Sequence, residues 1–544
     1  MYREGLILVR EEESRMIPIA RSLSFVMLVA SLAYGAPEGT ISGTVKDPTG
    51  APFKGAFVQA RNAKTKITVA VLSDKQGRYR AQNLPPGEYQ VRATAIGYKE
   101  DSRSSVQLAA GKPASLDFAL QKGMVHWSDL NTYQGRQLLP KTKNHDLSYQ
   151  DTFFTSCFQS CHAFQKTMAP FSRDENGWRQ RVRYMRDVIM GGEDSRLSDE
   201  RVEDFVSYLT TAFGPNSPKP PSPADLPEYK SLVRSFSDEA MKIVYVEYEF
   251  AGSKGLGPWS AVEGNDGMIW IPYHGRGNEV VRLDPNTGEL TRYPLPSAKT
   301  AGIHSAIPAP DGTVWFTEAE QGKIGHLNPR PKKILEYPNS LPDGRPAGSH
   351  TVRVDERGYV WTSGGPVISR FDPETKKFTH FDVGGTYGNT VGKNGEQWFT
   401  VFREDGPIVR ITKNGEVSKF FPPTKGKPQR LQVDSDGVVW FSERRGGKIG
   451  RFDPKTETFQ EFPLPGPSPS PYAIGIDRNH MIWYSSHEQD TLGRLNPKTG
   501  EVTEYPFPHS EISMREFFLD SQGRMWYGST ANDIIGYFIP PSGS

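Results

Sequence analysis

The sequence predicts a multidomain, mainly β protein with a small β-sandwich, a small helical domain and a seven-bladed β-propeller. Three observations lead to this prediction. The chain has 544 residues, more than one core usually organises. Its 53 Gly and 44 Pro residues are typical of a turn-rich β protein. Its C-terminal part repeats with a period of about 40 to 50 residues, which is the length of a propeller blade.

The N-terminal residues have the composition of an export signal. In "RSLSFVMLVASLAYGAP", Arg21 precedes an apolar run that is too short to span a bilayer and that ends in small residues. We therefore expect residues 1–36 to be a signal peptide. Met16 is an alternative start, because the acidic stretch "REEESR" precedes it. The mature protein is then expected to be periplasmic or secreted, where cysteines can oxidise.

The charge balance excludes two classes of partner. Lys and Arg number 65 against 63 Asp and Glu, so net charge indicates neither nucleic acid nor an acidic membrane surface. After the export signal, no segment reaches the ~20 apolar residues of a membrane-spanning helix. We expect neither nucleic-acid binding nor a transmembrane span in the mature chain.

Residues 37–121 are predicted to form the β-sandwich. The stretches "GTISGTVKDPTGAPFKGAFVQARN" and "GRYRAQNLPPGEYQVRATAIGY" alternate apolar and polar residues between Gly- and Pro-containing turns. They resemble the carboxypeptidase regulatory-like domain, and the resemblance covers nearly all of this region. It implies an immunoglobulin-like sandwich without catalytic residues, with a structural or adhesive role.

Residues 122–214 are predicted to be helical, and residues 215–240 form a Pro-rich linker. "NGWRQRVRYMRDVIMGG" and "LSDERVEDFVSYLTTAFG" each carry apolar residues at helical spacing, and Ser198 is a suitable N-terminal cap for the second helix. The linker "GPNSPKPPSPADLPEYK" is rich in proline, which favours an extended and stiff chain.

Residues 241–544 contain seven copies of a turn followed by an apolar residue and a tryptophan, as in "PDGTVW" and "SDGVVW". Four short strands per copy predict seven blades. The last copy has no outer strand, whereas "MKIVYVEYEFAG" stands alone before the first copy. We expect this segment to complete the seventh blade and so remove the open edges. The repeated tryptophans are Trp270, Trp315, Trp361, Trp398, Trp440, Trp483 and Trp526.

The two cysteines of the chain occur together in "CFQSCH", as Cys157 and Cys161 followed by His162. Two thiols and a histidine are what covalent attachment of a haem requires, although the usual spacing is one residue shorter. Positions i and i+4 of a helix share a face, so both sulfurs can reach one porphyrin edge. A disulfide and a metal site are the alternatives.

The residues after this motif resemble the small c-type cytochrome domains of extracytoplasmic bacterial redox proteins. The resemblance rests on "CHAFQ", "NGWRQRVRYMRDVIMGG" and "LSDERVEDFVSYLTTAFGP". It implies one covalent haem c, with His162 as proximal ligand and Met185 as sixth ligand. Met190 and Met168 are the alternative sixth ligands. Ligation by His and Met fills both axial positions, which suits electron transfer.

The propeller repeats "HSAIPAPDGTVWFTEAEQGKIGHLNP" and "LQVDSDGVVWFSERRGGKIGRFDP" resemble those of the virginiamycin B lyase family. In that family, His and Glu side chains at the central mouth act with a metal to open a cyclic depsipeptide by elimination. The resemblance implies a mouth site here with a divalent metal such as Mg²⁺, although no blade carries the full set of family residues. His274 and His487 fall one residue off the register and are expected at the surface. The candidate catalytic residues are His304, Glu318, His350 and Glu443, and Tyr472 and Arg515 occupy equivalent repeat positions.

Together these patterns predict an exported c-type haem protein for electron transfer. Its propeller is expected to bind a redox partner protein or a small-molecule substrate, and the two domains to form a dehydrogenase-type unit because fusion raises their effective concentration. A streptogramin B-type C–O lyase is the first alternative. A non-enzymatic binding or scaffold protein is the second.

Overall fold

The computed structural model describes residues 38–146, 164–189, 197–250, 257–274, 278–296 and 301–541. The chain is mainly β and multidomain, with an immunoglobulin-like N-terminal domain, a helical region and a propeller. The predicted signal peptide, residues 1–36, lies outside the described residues. Within the described ranges, no helix is long and apolar enough to cross a bilayer.

The N-terminal domain is a two-layer sandwich. β1 pairs with β4, β8 and β9 in one layer, and the other layer has the order β3-β2-β5-β7. Alternate residues of β4 and β5 are buried between the layers, as the period-two pattern predicts. The strands β1–β10 are Gly39–Lys46, Phe57–Asn62, Thr68–Leu72, Arg78–Leu84, Gly87–Thr94, Tyr98–Lys99, Asp101–Leu108, Pro113–Ser115, Phe118–Ala119 and Gln121–Lys122.

The helical region has short helices packed around one apolar core. Trp178 and Val182 of one helix meet the apolar side of another that Ser198 caps, and the Ser198 hydroxyl accepts from the Arg201 N–H. The cytochrome c fold of this region stays a prediction. The helices α1–α5 in the described part of the chain are Thr132–Leu138, Phe164–Thr167, Glu175–Tyr184, Asp199–Phe213 and Tyr229–Leu232.

The C-terminal region has six separate four-stranded antiparallel sheets, and the four strands of a seventh blade belong to a larger sheet, so each repeated tryptophan has its blade. The first strands of successive blades contact each other, which places them around the centre. β11, Val244–Glu249, precedes blade one. Blades one to three comprise β12–β23: Val262–Glu263, Ile269–Pro272, Glu279–Leu283, Leu290–Pro294; Ala306–Pro308, Val314–Glu318, Lys323–Asn328, Lys333–Pro338; Val352–Val354, Val360–Thr362, Ile368–Asp372 and Lys377–Phe381.

Blades four to seven have the same order of strands as the first three. The seventh has only three strands from the C-terminal end of the chain and takes its fourth from β11. The strands β24–β38 are Thr386–Val391, Gln397–Val401, Ile408–Ile411, Val417–Phe420; Pro428–Val433, Val439–Glu443, Lys448–Asp453, Thr458–Pro463; Pro471–Ile476, Ile482–Ser486, Thr491–Leu495, Val502–Pro506; Phe518–Leu519, Met525–Ser529 and Ile534–Ile539.

An aspartate six residues before the tryptophan fixes the first hairpin of four blades. In blade five, Asp434 accepts the Trp440 indole N–H at 2.9 Å, and its other oxygen accepts the backbone N–H groups of Asp436 and Val438. One carboxylate therefore satisfies both the turn and the buried indole. The same indole bond recurs at Trp361, Trp483 and Trp526.

A glycine in the third strand of several blades makes room for an aromatic ring of the second strand. A Cβ atom built on Gly450 would lie 2.1 Å from the Phe441 ring, and one built on Gly325 would lie 2.0 Å from the Phe316 ring. The "KIG" sequence of the repeat therefore marks a close approach of ring to backbone.

β11 joins the propeller to the sandwich. It pairs with β38 on one side, which confirms that the segment before the first repeat completes the seventh blade. Its other side pairs with β3, where Val246 opposes Val69, so the two domains share one eight-stranded sheet. The outer strands of blades one, two, five and six end in proline, which discourages further pairing. β11 has no proline and is covered instead.

The helical region lies against loops of blades six and seven. The Tyr133 N–H donates to the Glu488 carbonyl at 3.0 Å. The buried Gln165 side chain donates to Asp490 at 2.8 Å, and the Lys166 ammonium donates to the Ala531 carbonyl at 2.7 Å. These loops follow the second strands of their blades, so the helices dock at the propeller end where the second strands finish.

Candidate functional site

Aromatic side chains from five blades surround the centre of the propeller, at the end where the helical region docks. Neighbouring rings contact each other: Trp259 lies 4.4 Å from His304, His350 lies 4.4 Å from Tyr387, and Tyr472 stacks on His487 at 4.6 Å between centroids. Several members are only half-buried, so the ring opens to solvent. We call this set the mouth ring: Trp259, His274, His304, His350, Tyr387, Tyr472 and His487.

His304 and His350, predicted from the repeat register, are brought together. Their ring centroids are 3.4 Å apart, and the His350 Nδ1 lies 3.0 Å from the Thr351 hydroxyl. Burial lowers the pKa of both imidazoles well below the usual value, and Arg430 adds to this effect. Both rings are therefore neutral at pH 7, and a neutral imidazole can accept a proton from a bound molecule.

Glu318 and Glu443 occupy equivalent positions at the ends of β17 and β29, and both are fully buried. The charged neighbours of Glu318 are Glu336 and Lys323 of its own blade, and those of Glu443 are Glu461 and Lys448. Burial raises the pKa of Glu318 to about 7 and that of Glu443 to about 8. The structure therefore places the rings of His304 and His350 in contact, whereas Glu318 and Glu443 each lie among charged residues of their own blade.

The buried Glu443 predicts a loss of stability as pH rises. The folded state keeps a proton on Glu443 up to about pH 8, whereas the unfolded chain releases it above about pH 4.5. Stability therefore falls between about pH 5 and 8, by about 1.4 kcal/mol per unit of pKa shift. Glu443→Gln should unfold at a higher temperature than the wild type at pH 8 and show a weaker pH dependence in calorimetry.

The matched control for this prediction is Glu374→Gln, because Glu374 is exposed. This variant should follow the wild-type pH dependence. Glu318 remains in the Glu443 variant, so the slope should be reduced and not abolished. Parallel slopes for Glu443→Gln and wild type would contradict a protonated Glu443.

Four arginines and one glutamate lie beside the mouth ring. Glu516 accepts from Arg430 at 2.9 Å and from Arg353 at 3.2 Å, although these residues come from three different blades. Arg515 donates to the Tyr472 hydroxyl at 3.1 Å. Burial alone would raise the pKa of the Tyr472 phenol, but the adjacent arginines lower it. We call the four the arginine cluster: Arg353, Arg430, Arg444 and Arg515.

The structure adds residues that the repeat pattern did not indicate. His274 and His487 were expected at the surface, and this expectation is wrong, because His274 packs against Trp259 at 4.1 Å and His487 stacks on Tyr472. Their rings enter the mouth from the position after the second strand. Tyr472 and Arg515 contact each other, as their equivalent repeat positions suggest. Arg430 was missed because the equivalent position of most blades has no charged residue. Tyr387 was missed although it lies eleven residues before Trp398, the same repeat position as His304 and His350.

The residues proposed for the haem are only partly described. Cys157, Cys161, His162 and Met190 lie outside the described residues. Met185 begins a π-helical turn, Met185–Ile189, that continues α3, and Met168 packs against the helical core. In the described part of the chain, no group of three or more His, Cys, Asp or Glu side chains is placed to hold a metal ion. The haem and the divalent metal stay predictions.

Comparison with known proteins agrees with two of the three regions. A model described as the virginiamycin B lyase family matches residues 373–543, and one described as the carboxypeptidase regulatory-like domain matches residues 40–121. The chain joins a carboxypeptidase regulatory-like domain to a virginiamycin B lyase-like propeller. The virginiamycin B lyase of Nocardia farcinica is 28% identical over 221 residues, which are 40% of this chain and 74% of the relative.

Solved structures support the lyase-like propeller. The virginiamycin B lyase of Staphylococcus aureus has a TM-score of 0.50 and 25% identity, covering 55% of this chain and 100% of its own. A catalytically inactive histidine-to-alanine variant of that enzyme with quinupristin gives the same values. A TonB-dependent transporter, Oar, of Myxococcus xanthus is 33% identical over 100 residues, which cover only 9% of its length.

Proposed function

We propose that the protein is an exported c-type haem protein for electron transfer, whose lyase-like propeller binds a small-molecule substrate or a redox partner protein. The observation that supports this proposal is the docking of α2. Gln165 and Lys166 of this helix bind loops at the mouth end of blades six and seven. His162 precedes Gln165 by three residues in the sequence. In the same way, His487 of the mouth ring precedes Asp490, the residue that Gln165 binds, by three residues. The cysteine motif is therefore close in sequence to a helix that docks at this end of the propeller.

Cys157 and Cys161 would hold the haem through thioether bonds, and His162 and Met185 would bind its iron; a haem held in this way would supply single-electron transfer. Two observations on described residues fit this assignment. Met185 lies in a π-helical turn, a feature frequent at functional sites. The buried Trp178 indole N–H has no acceptor among the described residues, and a haem carboxylate would satisfy such a donor.

The mouth supplies proton chemistry for such a reaction. A substrate that loses an O–H or C–H bond on oxidation releases a proton, which a base at the mouth would accept. His350 is half-buried and lies against the buried His304, and the neutral His350 imidazole can accept a proton from a bound molecule. Arg515 and Tyr472 form a second polar pair that can orient the substrate. A small-molecule substrate and a redox partner protein are the expected partners.

The redox proposal is tested by the colour of the purified, exported protein. We expect sharp absorption bands on reduction that survive denaturation, and their complete loss in the Cys157→Ser/Cys161→Ser double variant. Met185→Leu should shift the bands, whereas Met124→Leu should leave them unchanged because Met124 is exposed. A colourless wild-type protein with a disulfide between residues 157 and 161 would reject the haem.

A second candidate is the streptogramin B-type C–O lyase. It is favoured by the His304–His350 pair at the mouth and by the full-length match to the staphylococcal enzyme at 25% identity. An elimination needs a base, which a neutral imidazole can provide. Ring opening of quinupristin with added Mg²⁺, lost in His304→Ala, would support this activity. Absence of turnover in the wild type would end this candidate.

A further inference from the structure

Two buried arginines beside the mouth ring have donors without acceptors. Arg430 and Arg444 are each 3% exposed. The Nε and Nη2 atoms of both guanidinium groups have no hydrogen-bond partner in the described part of the chain. A buried charged donor without an acceptor is costly, so native structures nearly always pair it.

The charges around these arginines do not balance. The arginine cluster carries four positive charges. Glu516 contacts Arg353 and Arg430, and Glu488, which pairs with Arg136, is the other carboxylate near Arg444. His304, His350 and His487 are neutral because burial lowers their pKa values. The described side chains at the mouth therefore carry an excess of positive charge in a poorly hydrated place.

Arg353 shows what a structural arginine looks like in the same cluster. One of its nitrogens donates to the Val352 carbonyl at 2.7 Å and another to Glu516 at 3.2 Å. Arg444, in contrast, has one side-chain acceptor, Gln429 at 3.3 Å. Arg430 and Arg444 thus each keep two donors, Nε and Nη2, without an acceptor among the described residues, whereas Arg353 does not.

Both guanidinium groups lie over aromatic rings of the mouth, and that of Arg430 is nearest to Tyr387, at 4.8 Å from the ring centre. The guanidinium carbon of Arg444 lies 4.7 Å from the centre of the Tyr472 ring, and that of Arg430 lies 5.9 Å from it. Tyr472 in turn contacts Tyr387 and stacks on His487, so flat rings line the same place. Guanidinium groups bind carboxylates through paired hydrogen bonds, and flat rings stack on flat rings.

We propose that the mouth binds a small aromatic carboxylate, with its carboxylate on Arg430 and Arg444 and its ring against the mouth ring. The inference rests on the ligand-binding part of the proposed function and does not depend on the haem. The inference narrows the substrate class of the mouth to planar organic anions. An uncharged analogue leaves the guanidinium donors unpaired, and a small anion without a ring leaves the aromatic wall uncovered.

Calorimetric titration of the full-length protein tests this site, with benzoate as the probe. We expect one benzoate per chain, with benzamide, acetate and inorganic phosphate each binding at least about tenfold more weakly. Equal binding of benzamide would overturn the charge recognition. If inorganic phosphate binds more tightly than benzoate, the ligand class is not that of planar organic anions. If benzoate does not bind, the proposed site is rejected. The benzamide comparison needs no variant, so it holds even where a substitution prevents folding.

The matched variants are Arg444→Gln and Arg445→Gln. Arg444→Gln should weaken benzoate binding about tenfold or more. Arg445 is adjacent but half-exposed and pairs with Glu404, so Arg445→Gln should bind as the wild type does. Equal affinity of Arg444→Gln and wild type would overturn the assignment. The cysteine double variant should retain benzoate binding, so a colourless protein that binds benzoate rejects the haem proposal alone.

Discussion

Replacement of Glu516 by glutamine is expected to destabilise the propeller by about 3–5 kcal/mol. Glu516 is 4% exposed and accepts from Arg353 and Arg430, which are also buried. Glutamine keeps the shape of the side chain but removes its charge, so two buried guanidinium groups lose their counter-charge. The loss is large because Glu516 ties blade seven to blades three and five. Scanning calorimetry should show a much lower unfolding midpoint for the propeller transition.

Glu404→Gln is the control for this experiment. Glu404 also pairs with an arginine of the propeller, Arg445, but both side chains are about half-exposed. Water and ions screen such a pair, so its loss should change the stability by less than about 1 kcal/mol. If both glutamine variants unfold at the same temperature, Glu516 is not the counter-charge of the arginine cluster.

Val246→Pro is expected to destabilise the protein by about 3 kcal/mol or more. Val246 lies in β11 between two strands, opposite Tyr537 of β38 and Val69 of β3. Proline removes a backbone donor in the middle of the sheet, and its ring crowds the neighbouring strand. Because β11 closes the propeller and joins it to the sandwich, both domains should unfold at lower temperature in calorimetry.

Val417→Pro is the matched substitution. Val417 is exposed in β27, the outer strand of blade four, which has a partner strand on one side. Proline is tolerated at such edges, where the N–H can face solvent. This variant should unfold close to the wild-type temperature. A Val246→Pro protein as stable as Val417→Pro would show that β11 does not hold the two domains together.

The repeat pattern was sufficient to predict the propeller. In four blades, as at Trp440, the repeated indole is held by an aspartate of the same hairpin, so blade and sequence share one period. The isolated strand before the first repeat also revealed how blade seven closes. The pairing of β11 with β3 could not be predicted, because β-strands of two distant domains pair through backbone atoms that leave little signature in side-chain pattern.

The candidate site was predicted less completely than the fold. His304 and His350 share a register with the tryptophans, and the structure brings them together. Glu318 and Glu443 share the register too, but each is surrounded by charges of its own blade. Arg430 belongs to a single blade, so no repeat identifies it. The position of a side chain at the centre of the propeller depends on the size and direction of the side chains that reach it from the other blades. The period of the sequence repeat does not encode these neighbours.

The sharing of β11 has a consequence for the order of folding. The seventh sheet brings together Val69, Val246 and Tyr537, which are separated by hundreds of residues in the chain. Contacts between residues so far apart in the chain form slowly, because a large loop must first close and lose chain entropy before the contacts can stabilise the fold. We expect the sandwich to form early, so that β11 pairs with β3 before the last repeat has been synthesised. Ring closure should therefore be the final and slowest step of folding.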